Sequence, residues 1–117
     1  MQYLLLIYAK EADYAAMDKK TSEALSHEYD VFTQGIVKSG NFKGGERLRP
    51  TNTATTVRVK NGKAVNTDGP FVETREQLGG FYLIEAKDLD EATDIAARIP
   101  AAKHGCVEVR PIWPMNT

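Results

Sequence analysis

Two short strands of this chain are apolar on both of their faces, and that limits its fold more than any other feature. In Gln2–Tyr8, Tyr3, Leu5 and Ile7 alternate with Leu4, Leu6 and Tyr8. In Phe81–Ala86, Phe81 and Leu83 stand opposite Tyr82 and Ile84. Successive side chains of a strand point to opposite faces, so a strand apolar on both faces must be covered on both. The material for that cover is scarce. Asp18 can cap a helix running to Lys38, in which Leu25, Tyr29, Phe32 and Ile36 form one apolar stripe and Gly40 supplies the stop. Asp88, with Glu91 three residues on, starts a second helix whose stripe is Leu89, Ala92, Ala96 and Ile99, ending at Pro100.

The remaining segments are strands and turns. Phe42–Arg49 and Thr53–Lys60 are candidate strands around Pro50-Thr51-Asn52, and Asn61-Gly62 is a type I′ hairpin signal that folds Lys63–Thr67 back antiparallel. Asp68-Gly69-Pro70 breaks the run, a loop of about ten residues leads to Gly79-Gly80, and Cys106–Ile112 is the closing strand. The order is βαββ, a hairpin, then βαβ: a single α+β domain over residues 1–117, a ferredoxin-like βαββαβ pattern with an extra hairpin strand. In split βαβ arrangements both helices lie on one side of the sheet. The other side would be an apolar patch of a size that soluble monomers avoid. A second copy packed sheet to sheet resolves this, so the expected unit is a homodimer.

Composition excludes several classes. Fifteen Lys and Arg against sixteen Asp and Glu leave a net charge of −1, which gives no bulk attraction to nucleic acid or anionic lipid. One cysteine excludes an internal disulfide. The longest apolar run, Tyr3–Ala9, is far shorter than the roughly 20 residues of a membrane span, and it lacks the flanks of a secretory signal. The expected location is the cytoplasm, away from membranes. Charge is nevertheless segregated: residues 38–63 carry seven bases and one acid, and residues 64–108 carry nine acids and four bases. The basic segment holds only Phe42 as an aromatic, so it lacks the stacking platform of a single-strand nucleic-acid binder. It reads as a solvated hairpin whose charges discourage edge pairing.

Candidate chemistry is thinly spread. Asp68, in the Asp-Gly-Pro turn, is either an acid or base or a cap for its own turn. Glu108 and Arg110 share one face of the closing strand, where they form a structural ion network or line a polar pocket. Arg110 could hold a carboxylate or phosphate by a bidentate contact, with Arg58 on the hairpin as a further ligand-binding candidate. His104 precedes the charged strand and can act in proton transfer, whereas His27 points away from the apolar stripe of its helix. Cys106 opens a strand expected to be buried, where cysteine is an inert filler. No phosphate-binding loop, nucleophile elbow or clustered ligand set occurs, so no metal or organic cofactor is expected.

The run Asp68-Gly69-Pro70-Phe71, followed by Glu73-Thr74-Arg75-Glu76-Gln77-Leu78-Gly79-Gly80-Phe81-Tyr82-Leu83-Ile84, resembles the YCII-related proteins, and within them the branch named for its DGPF motif. The likeness extends over Tyr3-Leu4-Leu5-Leu6-Ile7-Tyr8, Gly44-Gly45-Glu46-Arg47-Leu48, Asp88-Leu89-Asp90-Glu91-Ala92 and Val107-Glu108-Val109-Arg110-Pro111-Ile112. It implies a ferredoxin-like α+β fold that pairs as a dimeric α/β barrel. Some members of that family are proposed enzymes with a His–Asp pair in a cleft, and a few relatives act on chlorinated aromatic intermediates. Others occur beside, or fused to, extracytoplasmic-function sigma factors. Asp68 matches the aspartate of the motif, but the helix histidine of the other branch has no counterpart, because His27 faces the wrong way. The expected function is small-molecule binding or metal-independent acid/base catalysis, lyase- or hydrolase-like, in a pocket between sheet and dimer mate. Asp68 and His104 are its catalytic candidates, and Glu108, Arg110 and Arg58 its ligand-binding ones. The alternative is a regulatory module whose partner is a sigma factor.

Overall fold

The computed structural model describes residues 1–115, so the expected domain bound of 1–117 runs two residues beyond it. Strand β1 (Gln2–Ala9) is followed by a short helix α1 (Glu11–Ala15) and the long helix α2 (Lys19–Lys38). Then come β2 (Phe42–Arg47), β3 (Thr55–Lys60), β4 (Lys63–Asp68), β5 (Gln77–Glu85), α3 (Leu89–Ala97) and β6 (Cys106–Pro111). Single 3₁₀ turns lie at Thr51–Thr53 and Pro100–Lys103. The main sheet runs β2-β5-β1-β6 with every neighbouring pair antiparallel, which is the ferredoxin-like α+β arrangement.

Local chemistry sets the helix ends. The Asp18 carboxylate accepts from the Thr21 N–H at 2.7 Å, and the Asp88 carboxylate from the Glu91 N–H at 2.9 Å. Helix α2 closes in a Schellman motif: the Asn41 N–H donates to the Ile36 carbonyl at 2.9 Å and the Gly40 N–H to that of Val37 at 3.1 Å. Gly40 takes φ +83°, a conformation open to glycine at little cost.

The core lies on one side of the sheet. Tyr3, Leu5 and Ile7 of β1 and Ile84 of β5 pack under Phe32 and Ile36 of α2 and under Ala92, Ile95, Ala96 and Ile99 of the α3 region. Of the expected stripes, Leu89 is exposed and Ile95 takes its place, while Leu25 and Tyr29 are only half-buried. The opposite face presents Leu4, Leu6, Tyr8, Phe81 and Leu83, all half-buried, with no layer over them among the described residues. Among the described residues, no helix is long and apolar enough to cross a membrane.

The hairpin forms its own two-stranded sheet, β3-β4, beside the main one. Asn61 and Gly62 take φ +51° and +76°, the type I′ turn that their sequence demands. Val57 and Val59 on the ribbon are 59% and 71% exposed. The projecting ribbon raises the radius of gyration to 16.3 Å, against about 13 Å for a compact domain of this length.

Replacing fully buried Leu5 by alanine is expected to lower the unfolding free energy by about 3 kcal/mol. Val31→Ala, on the exposed back of α2, should change it by less than about 0.5 kcal/mol. Urea denaturation distinguishes the two.

Candidate functional site

The α2 stripe is longer than the core it covers, and the surplus builds a cleft. Phe32 and Ile36 enter the core, whereas Tyr29 and Leu25, about one and two turns earlier, face a cavity of about 930 Å³. Its walls are α1, the N-terminal half of α2, and the β2–β5 edge of the sheet, with Ile7, Ala9, Met17, Leu25, Phe42 and Tyr82 as apolar lining. Glycines 45, 79 and 80 on β2 and β5 add no side chain that would fill the space.

Glu11 fixes one end. Its two carboxylate oxygens accept from the Thr51 N–H at 2.7 Å and the Thr51 hydroxyl at 2.8 Å, and its own N–H donates to Gln77 Oε1 at 2.9 Å. These bonds tie α1 to the β2–β3 connection and to the start of β5. At the other end the Tyr82 and Thr33 hydroxyls lie 2.6 Å apart, and the Tyr82 ring packs edge-on against Phe32 and Phe42.

Two more phenols face the cavity. Burial raises the pKa of Tyr29 strongly, and the neighbouring Tyr14 phenol adds to the shift. Tyr14 is also raised, chiefly by burial. The guanidinium of Arg47 acts on both in the opposite direction. Both groups therefore stay protonated, as hydrogen-bond donors, through the neutral range.

The residues expected from the sequence are distributed differently. His104 is exposed, but its Nε2 lies 3.4 Å from the Tyr14 hydroxyl, behind the cleft wall, with the two rings edge-to-face. Asp68 ends β4 and Arg58 lies in β3, both exposed on the ribbon and outside the cleft of their own chain. Glu108 and Arg110 project from the open sheet face, opposite Leu6 and Leu4, and bond to each other at 2.7 Å. Cys106 is exposed rather than buried, because it sits across from Tyr8 on that same uncovered face. Its thiol reaches Glu76 at 3.6 Å, and partial desolvation by its neighbours together with that carboxylate pushes its pKa up. The Pro70–Gln77 loop lines a second, smaller cavity of about 350 Å³ against Thr51 and Asn52, while Phe71 points outward. Among the described residues, no three His, Cys, Asp or Glu side chains gather as a metal-binding set.

The sequence reading missed Tyr14, Tyr29, Arg47 and Glu11 as site residues. Tyr29 looked like a core position, and the helix that carries Tyr14 is one short turn with no capping side chain. The one available signal was the stripe itself, which extends past the two helix residues that reach the core.

A model of the YCII-related domain matches residues 1–116. An uncharacterised protein of Rhizobium meliloti is 39% identical over 114 residues, spanning 96% of this chain and 92% of the relative.

The raised phenols give a pH dependence of defined sign. A phenol with a folded pKa above its unfolded value of about 10 is ionised first in the unfolded chain, so its share of stability is full below pH 10 and is lost as pH rises toward the folded pKa. Urea midpoints should therefore fall more steeply above pH 10 in the wild type than in Tyr29→Phe. Identical alkaline slopes would contradict the burial of this phenol.

Proposed function

The chain belongs to the YCII-related domain family, and on that premise we propose that it binds a small molecule in the cleft between α1, α2 and the β2–β5 edge. The observation that carries this reading is the cavity itself. At about 930 Å³ it falls within the range of roughly 300–1,000 Å³ usual for ligand sites, with apolar walls and a few convergent polar groups. Any reaction there would be proton transfer of a lyase- or hydrolase-like kind. His104 behind Tyr14 is the pair placed for it, and its 3.4 Å separation is one that substrate binding could tighten.

The binding unit we propose is a homodimer. What supports this is the uncovered face carrying Leu4, Leu6, Tyr8, Phe81 and Leu83, together with the projecting β3-β4 ribbon. Asp68 and Arg58 on the ribbon, and Glu108 and Arg110 on the open face, would take part in binding through a pocket completed by the second copy.

Two measurements test these claims. A thermal-shift screen against a metabolite library should yield stabilising compounds for the wild type. Their effect should disappear in Ala12→Trp, where an exposed position on the cleft wall receives a filling ring. The absence of hits, or hits unchanged by the tryptophan, rejects the cleft as a binding site. Light scattering at micromolar concentration should give twice the 13.0 kDa mass of the chain. The monomer mass would remove the dimer.

A further inference from the structure

The pairing of the charged groups along the cleft narrows its ligand. Arg47 lies across the strand pair from Gly80, on the cleft face of β2, while its neighbour Glu46 is paired with Phe81 and turns to the opposite face. Among the described residues the ion pairs join Lys19 to Glu23, Lys103 to Glu28, Arg110 to Glu108 and the terminal ammonium to Glu85. Arg47 is in none of them. Its guanidinium is nonetheless the charged group whose field reaches both Tyr14 and Tyr29. The acid at the closed end, Glu11, already has both oxygens occupied by Thr51. Asp30, also on the cleft lining, is exposed to water on α2.

The cleft thus offers two guanidiniums outside those ion pairs, Arg47 and Arg49, and protonated phenols against walls of Ile7, Ala9, Met17, Leu25 and Phe42. Each of those polar groups donates hydrogen bonds, and a desolvated wall strengthens a charge-assisted contact. A ligand cation would meet both guanidiniums, with Asp30, exposed to water on α2, as the acid left to receive it. We infer that the cleft selects an amphipathic anion, an apolar body bearing a carboxylate, with Arg47 as the group that anchors the carboxylate.

This rests on the small-molecule reading above and goes beyond it by naming the ligand class. The test is calorimetry in low-salt buffer at pH 7 with three probes of one shape: 4-phenylbutyrate, 4-phenylbutyramide and 4-phenylbutylamine. The carboxylate is expected to bind about tenfold or more tightly than the amide, the scale of one charge-assisted hydrogen bond. In Arg47→Gln that preference should vanish while the amide binds as before. Arg47 is exposed, so the variant should fold, and an unchanged melting temperature verifies this. Amide or amine binding as tightly as carboxylate overturns the anion assignment but leaves the cleft a binding site. A carboxylate preference that survives in Arg47→Gln overturns the role of Arg47. If no probe binds at millimolar concentration, the ligand class fails, and the library screen with Ala12→Trp decides whether the cleft binds another kind of small molecule.

Discussion

Everything in this molecule depends on a sheet that has two apolar faces and helices for only one of them. Leu5, Ile36 and Ile84 are fully buried where β1 and β5 meet α2, and Ile95 and Ile99 close the same side from the α3 region. That burial is the main source of stabilisation the chain can reach alone, since hydrophobic free energy scales with the area removed from water. Right-handed split βαβ connections put both helices on one side of the sheet. The face with Leu4, Leu6, Phe81 and Leu83 is the remainder, and it stays half-exposed.

The cleft arises from the same geometry. Helix α2 has twenty residues, but the sheet beneath it is four strands wide, and β2 at the edge carries Gly45 where a larger side chain could have faced the helix. The C-terminal half of the stripe packs, and the N-terminal half hangs over a space bounded by α1. Glu11 then clamps α1 to Thr51 and Gln77, so that the space is walled rather than open at that end. Tyr29 illustrates the outcome: a residue with core periodicity becomes a buried phenol facing a cavity.

Features legible in the sequence are those fixed by local chemistry. The Asp18 and Asp88 caps, the Gly40 stop and the Asn61-Gly62 turn all formed where their residues required, because each depends on backbone conformation and bonds within a few positions. The antiparallel β-α-β frame was equally readable from alternation and the 3.6-residue period. The site was not. Strand alternation left Glu108 and Arg110 as either an ion network or pocket residues, and the fold sets them on the uncovered face, bonded to each other. Arg47 looked like one more charge of a basic hairpin, and pairing with β5 turned it toward the cleft.

By itself, then, the amino-acid order determined the elements, their ends and the existence of two apolar sheet faces, since these follow from interactions among near neighbours. Which face α2 and α3 would cover, that the β3-β4 ribbon would stand apart, and that Tyr14, Tyr29 and Arg47 would meet were decided only by tertiary packing. Those three residues come from α1, α2 and β2, and no local rule relates their side chains until the core fixes the distance between helix and sheet edge.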